Sequence, residues 1–208
     1  MKIIVAGIGT EVGKTIVSSI FCQAFSLDYW KPLQSGSKED NDAEKVRELI
    51  SAKIEIFPNA YCFKEPLSPD QAAKLEGISI DPSKINIPES QHLLIEPAGG
   101  LMVPLTEDGF LFSDLLKTWN IPIVLVSRFY LGSINHTLLS IEYLKSHNLS
   151  LAGIVFTDDI NEESEKIIRL KAPTTHFHDI PWSKEINTDF IESEAERLRK
   201  SSFKHLFA

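Results

Sequence analysis

The sequence predicts an α/β fold, a mostly parallel central sheet with helices on both faces. Three observations predict it. Apolar segments alternate with amphipathic, helix-like ones along most of the 208 residues. The apolar segments are continuous runs, such as "KIIVA" at 2–6 and "PIVLVS" at 122–127. Continuous rather than alternating runs mark strands that are covered on both faces. No internal repeat, linker or low-complexity stretch interrupts the series, so residues 1–208 are expected to form one domain.

The elements follow in order. Residues 2–6 are a buried strand running into Gly7, and a loop leads to a helix from about Lys14 to Leu27. "YWKPL" (29–33) is a second strand that stops at a proline. "QSGSKEDND" (34–42) is polar and rich in turn formers, hence a loop. An amphipathic helix, "DAEKVRELISA", begins at Asp42 with Val46, Leu49 and Ile50 on one side. Residues 53–91 read as irregular, with a short helical piece near "DQAAKLEG". "HLLIEPAGG" (92–100) is a strand halted by a Pro/Gly turn, and no element is assigned between 101 and 121. After the strand at 122–127 come the helix "SINHTLLSIEYLKSH" and the strand "LAGIVFTDD" (151–159). A polar helix from about Asn161 to Leu170, a short strand near "THFHDIPW" and a charged helix ending near Lys200 complete the chain. Ligands of such sheets sit beyond the carboxyl ends of the strands, so the loops of interest are 7–14, 34–42, 97–104, 128–133 and 157–161.

Bulk composition bounds the function. Hydrophobic residues make up 43% and charged residues 24%, as in ordinary soluble domains. The formal net charge of −8 argues against broad binding to nucleic acid or to anionic membrane. Cys22 and Cys62 are too few and too far apart for a metal or disulfide framework, and both are expected to be reduced and packed. The opening apolar run is too short for a signal peptide, and no segment approaches the roughly 18–20 apolar residues of a membrane span. A cytoplasmic protein is the expectation.

The stretch "AGIGTEVGKTIVSS" (6–19) carries the most chemistry. A strand, a glycine-rich turn and a helix start stand together there, the context a phosphate-binding loop requires. Backbone N–H groups along Glu11, Val12, Gly13, Lys14, Thr15 and Ile16 would converge on an anion, helped by the helix dipole. Lys14 would reach the β- and γ-phosphates of ATP, and the Thr15 hydroxyl would ligate Mg²⁺. The spacing is unusual, because five residues rather than four separate Gly7 from Gly13.

Mg²⁺ on a triphosphate takes one or two carboxylates. Glu96 ends an apolar strand before a glycine-rich turn, where an unpaired acid would be costly to bury. Asp42 lies where a polar loop meets a helix, and position alone favours a helix cap over a metal ligand. Lys31, before a proline at a strand's carboxyl end, reads either as a surface lysine or as a group neutralising an anionic substrate near the γ-phosphate. Ser35 and Gly36 supply a hydroxyl and a close backbone approach.

In order, "GTEVGKT" (9–15), "YWKPLQSGS" (29–37), "NDA" (41–43), "PLSP" (66–69), "IEPAGGLMVPL" (95–105), "LVSRFYLGSINHTLLS" (125–140), "LAGIVF" (151–156) and "IPW" (180–182) resemble the dethiobiotin synthetase family. The resemblance runs from residue 2 to about 185, and the family's loop has the same five-residue spacing. It implies a P-loop NTPase-type three-layer sandwich and a homodimer. It also implies a ligase of biotin biosynthesis that joins 7,8-diaminononanoate, CO₂ and MgATP into dethiobiotin, ADP and phosphate. Lys14, Lys31 and Thr10 match the family's catalytic positions, and Thr15, Asp42 and Glu96 its Mg²⁺ positions. Ser35 matches a substrate-contacting serine. Pro97, Ala98 and Gly99 fall in the turn that meets the phosphates. The resemblance also implies that free N–H groups of Ser133, Ile134 and Asn135, at a helix start, bind the substrate's far carboxylate from the neighbouring subunit. Thr157 and Asp158 fall where the base is read, and Pro181, Trp182 and Ser183 where it is packed, although Trp182 could equally be core. His136 reads as a helix residue rather than a base.

Three positions depart from the family pattern. Pro97 replaces a glycine and removes an N–H. Thr157 replaces an asparagine, so one hydroxyl stands in for a paired amide contact. Gly9 replaces an acid. A ParA/MinD-like regulatory ATPase is the alternative reading; such loops carry an early lysine, where this chain has Gly7-Ile8-Gly9.

Overall fold

The computed structural model describes residues 1–36 and 41–207, so residues 37–40 of the expected 34–42 loop lie outside the described residues. The strands are β1 (Lys2–Gly7), β2 (Asp28–Trp30), β3 (Leu33–Ser35), β4 (Ile56–Phe57), β5 (Tyr61–Phe63), β6 (Leu93–Ile95), β7 (Ile123–Arg128), β8 (Leu151–Thr157) and β9 (Phe177–Ile180). The helices are α1 (Lys14–Phe25), α2 (Asp42–Leu49), α3 (Pro69–Leu75), α4 (Phe112–Trp119), α5 (Ser133–Ser146), α6 (Glu162–Lys171) and α7 (Thr188–Lys200). Seven strands form one sheet in the order β4-β2-β6-β1-β7-β8-β9, and every pairing in it is parallel. β3 and β5 form a separate two-stranded parallel ladder.

The alternation of side chains along β1 sorts the layers. Ile3 and Val5 pack with Val17, Ile20 and Phe21 of α1, Val46 of α2 and Ile191 and Leu198 of α7. Ile4 and Ala6 face the opposite way, toward Ala72 of α3, Phe112 and Leu116 of α4 and Leu144 of α5. Ile3, Ile4 and Val5 are completely buried, and each such side chain contributes about 1.5–3 kcal/mol by leaving water. This is a three-layer α/β/α sandwich.

Several boundaries differ from expectation for physical reasons. α1 ends at Phe25 because Ser26 turns left-handed (φ 53°). The expected strand 29–33 is divided at Lys31-Pro32, and Leu33–Ser35 pairs with β5 instead of staying in the main sheet. The region 53–91 holds β4, β5, α3 and a single 3₁₀ turn at Pro82–Lys84. α4 lies in the stretch left unassigned. Cys22 is buried as expected, whereas Cys62 is exposed.

Parallel pairing puts the carboxyl ends of β1, β2, β6, β7, β8 and β9 along one edge. From β1 the chain winds out to β2 and β4, returns at β6, and then crosses to β7 on the other side. Such a switch point leaves a crevice beyond the strand ends.

Candidate active site

The turn after β1 is shaped by its glycines. A Cβ on Gly7 would come within 2.6 Å of Val12 Cγ2, so only glycine lets the loop fold back at that point. Gly13 is left-handed (φ 87°) and begins α1 with no side-chain cap, leaving the first N–H groups of the helix for an anion. The side chain of Lys14 is buried, and its Nζ donates to Gly9 O at 2.9 Å. Burial draws the Lys14 pKa below its ordinary value, against the opposing pull of Glu96.

Next to this turn, three strand or helix ends bring Lys31, Asp42 and Glu96 together around Thr15. The Thr15 hydroxyl lies 2.7 Å from Asp42 Oδ1 and 3.1 Å from Glu96 Oε1. Lys31 Nζ donates to Asp42 Oδ2 and, at 3.3 Å, to Glu96 Oε1. Glu96 is fully buried, and its other oxygen accepts from Ser18 Oγ at 2.8 Å and Tyr29 OH at 3.0 Å. Two donors thus hold Oε2 from behind, and Oε1 is the oxygen turned toward Thr15 and Lys31. The helix cap expected at Asp42 is one residue earlier: Asn41 Oδ1 accepts from Ala43 N at 2.9 Å. That frees the Asp42 carboxylate for the cradle.

Electrostatics favour the charged forms of Lys31 and Asp42. Burial lowers the Lys31 pKa, but Glu96 and Asp42 outweigh it and the net shift is upward. For Asp42, burial pushes upward, and the charge and hydrogen bond of Lys31 reverse it to a net downward shift. Two ammonium groups and two carboxylates already neutralise one another here. A triphosphate would bring excess negative charge, and the all-oxygen set of Thr15, Asp42 and Glu96 suits a hard divalent cation such as Mg²⁺.

These groups line a cleft of ≈ 810 Å³ whose walls also include Thr10, Glu11, Ile16, Ala98 and Gly99. Gly99 is left-handed (φ 63°), and a Cβ there would come within 2.7 Å of Val103 Cγ2. Pro97, expected at the phosphates, is buried and lines neither this cleft nor the next one; its ring follows the last β6 pairing, Glu96 N to Trp30 O. Ser35 Oγ and Ser68 Oγ both belong to lining residues, are buried and have no hydrogen-bond partner among the described residues. Ser68 was singled out only within "PLSP". It stands at the N-cap position of α3, directly before Pro69.

A second cleft, of ≈ 190 Å³, adjoins the outer side of the loop. Val12, Gly13 and Ile16 border it, facing Pro181, Trp182 and Ser183, with Arg128, Thr157 and Asp158 between. Trp182 is 61% exposed, so it is not core. Thr157 was expected to offer its hydroxyl to a base. Instead Oγ1 donates to Val12 O at 2.9 Å, so its one proton is already committed and only acceptor capacity remains. Arg128, which sequence reasoning passed over, ends β7 at this cleft.

The start of α5 lines neither cleft of its own chain. Gly132 (φ 100°) caps it, not Ser133. The Ser133 N–H, expected to be free, donates to Tyr130 O at 2.9 Å, and Ser133 Oγ accepts from Tyr130 N at 3.3 Å. Ile134 and Asn135 follow, the latter exposed. His136 is also exposed and lies 2.7 Å from Tyr130 OH.

The geometry can be set beside known proteins. A family model described as an AAA domain matches residues 1–189. An ATP-dependent dethiobiotin synthetase BioD from Christiangramia forsetii is 42% identical over 94% of this chain and 95% of its own length. The chain belongs to the dethiobiotin synthetase family. Membership makes this family member an enzyme of the ligase class. A second BioD relative, from Brucella ovis, is 44% identical over 80% of this chain and 79% of its own. Among solved structures, the sandwich is shared with a ParA family ATPase from Chlorobium tepidum (TM-score 0.52, 14% identity, covering 94% and 98% of the two chains). It is shared too with the cell division ATPase MinD of Pyrococcus furiosus (TM-score 0.54, 16% identity, covering 96% and 98%). At such identity these two share the fold with this dethiobiotin synthetase family member and nothing finer. No helix among the described residues is long and apolar enough to cross a membrane.

Proposed function

We propose that the chain works as one cytoplasmic synthetase domain that converts 7,8-diaminononanoate, CO₂ and ATP to dethiobiotin, ADP and phosphate. The observation that carries this reading is the convergence of Lys31, Asp42, Glu96 and Thr15 beside the phosphate loop, in a cleft also lined by two serines whose hydroxyls have no partner among the described residues.

One substrate amine adds to CO₂ and loses a proton, giving a carbamate. A carbamate oxygen attacks the γ-phosphorus, the bond to the β–γ bridging oxygen breaks, and ADP leaves a carbamic–phosphoric anhydride. The second amine attacks the carbamoyl carbon and expels phosphate as the ureido ring closes. A carbamate is already anionic, so phosphoryl transfer needs placement and charge neutralisation more than a base. Lys14 and Lys31 supply two fixed cations on the phosphate side. The raised Lys31 pKa keeps that ammonium charged throughout. Ser35 and Ser68 have hydroxyls to offer the substrate's polar end, and Thr10 stands at the mouth of the same cleft. Thr15, Asp42 and Glu96 would hold Mg²⁺, which when bound supplies further neutralisation of the phosphate oxygens. The adenine would lie in the smaller cleft against Trp182.

The start of α5, which has no side-chain cap, offers the N–H groups of Ile134 and Asn135 and is suited to a carboxylate. Its place outside both clefts of its own chain fits a homodimer in which it completes the partner's substrate site. The ParA/MinD alternative rests on shared fold alone.

The test is phosphate release with ATP, the diamine acid and bicarbonate. Release that requires both co-substrates, with dethiobiotin as product, supports the reading. Release that ignores them and rises with DNA or lipid vesicles overturns it.

A further inference from the structure

Arg128 closes β7 at the rim of the smaller cleft, and none of the steps above uses it. Its Nε donates to Asp158 Oδ2 at 2.6 Å and its Nη1 to Glu11 O at 3.1 Å. Both partners are non-glycine residues in the left-handed region, Glu11 at φ 57° and Asp158 at φ 76°. Such conformations are costly and persist where the surroundings over-determine them. One guanidinium therefore ties together two strained points, one on the phosphate loop and one just past β8. A second tie stands beside it, the Thr157 hydroxyl on Val12 O at 2.9 Å. The carbonyls of two consecutive loop residues are thus fastened to the ends of β7 and β8.

The peptide unit is planar and trans, so the N–H that follows a carbonyl points the opposite way. Drawing Glu11 O toward Arg128 turns the Val12 N–H away from Arg128. Drawing Val12 O toward Thr157 does the same for the Gly13 N–H. Those are the amides that an anion-binding turn must present. Arg128 does not line the larger cleft, which separates it from the γ-phosphate chemistry.

We propose that Arg128 is a nucleotide-positioning residue: with Asp158 it locks the outer turn of the phosphate loop in its anion-receiving shape before nucleotide arrives. Preorganisation of this kind appears as affinity, because the ordering is complete before binding. The proposal rests on the nucleotide reading of the loop.

The experiment compares wild type with Arg128→Ala, Arg128→Lys and Asp158→Asn, by calorimetric binding of MgADP, inhibition by inorganic tripolyphosphate, and steady-state kinetics. Arg128→Ala is expected to raise the ADP Kd and the ATP KM about tenfold, the scale of a lost charge-assisted hydrogen bond, with kcat at saturating ATP within about twofold. Arg128→Lys keeps the charge but not the fork and stays weakened. Asp158→Asn moves in the same direction. Tripolyphosphate, having neither base nor ribose, weakens in parallel with ADP because Arg128 acts through the loop. Unchanged ADP and ATP affinities overturn the proposal, as does a fall in kcat at constant KM. Weakened ADP binding with unaltered tripolyphosphate inhibition also overturns it, since Arg128 would then act on the nucleoside directly. Should Arg128→Ala fail to fold, the Lys and Asn variants carry the same outcomes. Failure of wild type to bind MgADP would count against the proposed function instead.

Discussion

The two clefts along the strand ends are built from opposite materials. In the larger, the charged groups are buried: Lys14, Lys31 and Glu96 are 7%, 6% and 0% exposed, and each has a named hydrogen-bond partner. In the smaller, the aromatic wall is Trp182, which is 61% exposed. Buried charges interact strongly and are expensive to leave unpaired, so they are held in place from several sides. An exposed aromatic ring supplies contact area with little positional demand. The comparison teaches that this fold spends its order on the phosphate side and leaves the base side permissive.

The largest effect should come from breaking the ordered side. Lys31→Ala is expected to lower turnover by about 10²- to 10³-fold while MgADP still binds and the circular dichroism spectrum is unchanged. Near-full activity would remove Lys31 from the mechanism. The Lys31–Asp42 pair also sets a pH window. The Asp42 contribution to stability is complete above its ordinary value of 3.8 and is lost only as pH falls through its lowered folded value. The Lys31 contribution is complete below 10.5 and is lost as pH rises through its raised value. Thermal unfolding should therefore show no loss from this pair across the neutral range.

A smaller effect probes how Glu96 is aimed. Tyr29→Phe keeps the buried ring and removes one of the two donors on Glu96 Oε2. The Mg²⁺ concentration for half-maximal activity should rise about tenfold, and Mn²⁺ binding in the presence of ADP, followed by electron paramagnetic resonance, should weaken alongside it. Unaltered metal affinity would mean that Ser18 alone suffices.

The permissive side should respond more mildly. Because the Thr157 proton is spent on Val12 O, wild-type turnover with ATP, GTP and CTP should agree within about tenfold. A strong preference for ATP over both would contradict this. Smallest of all is an effect far from either cleft. His178, buried on β9 near Arg197, has its pKa lowered from 6.5 to about 4. The unfolded chain binds that proton first, so stability falls as pH drops from 6.5 toward 4. His178→Phe should flatten this part of a melting-temperature profile; an unchanged slope would assign the acid loss to carboxylates instead.

The same contrast explains what could be seen in the sequence. The phosphate loop is contiguous, and the strand, turn and helix that define it lie within one 20-residue stretch. Glu96 was visible because a charge at the end of a buried apolar run needs partners, whereas Lys31, next to a proline at a strand end, read equally well as a surface lysine until the fold turned it inward. Asp42 was ambiguous because Asn41 and Asp42 are both good caps, and only the fold decides which one turns inward. The commitment of Thr157 to Val12 could not be read, since 145 positions separate the two residues. α4 escaped although Phe112, Leu115, Leu116 and Trp119 keep helical spacing, because eight residues after a Gly/Pro-rich stretch give a weak periodic signal. The β3–β5 ladder was unreadable for a related reason, as three-residue strands have too few positions to show a pattern.

The most direct test of the central claim follows oxygen. With ¹⁸O-labelled bicarbonate, the diamine acid and ATP in unlabelled water, a carbamate attacking the γ-phosphorus in the Lys14–Lys31 cradle must leave one CO₂-derived oxygen in the phosphate released. Mass spectrometry should find a single ¹⁸O in the inorganic phosphate formed with each dethiobiotin. Phosphate without label, formed at the same rate, would mean that water is the nucleophile and would contradict the account.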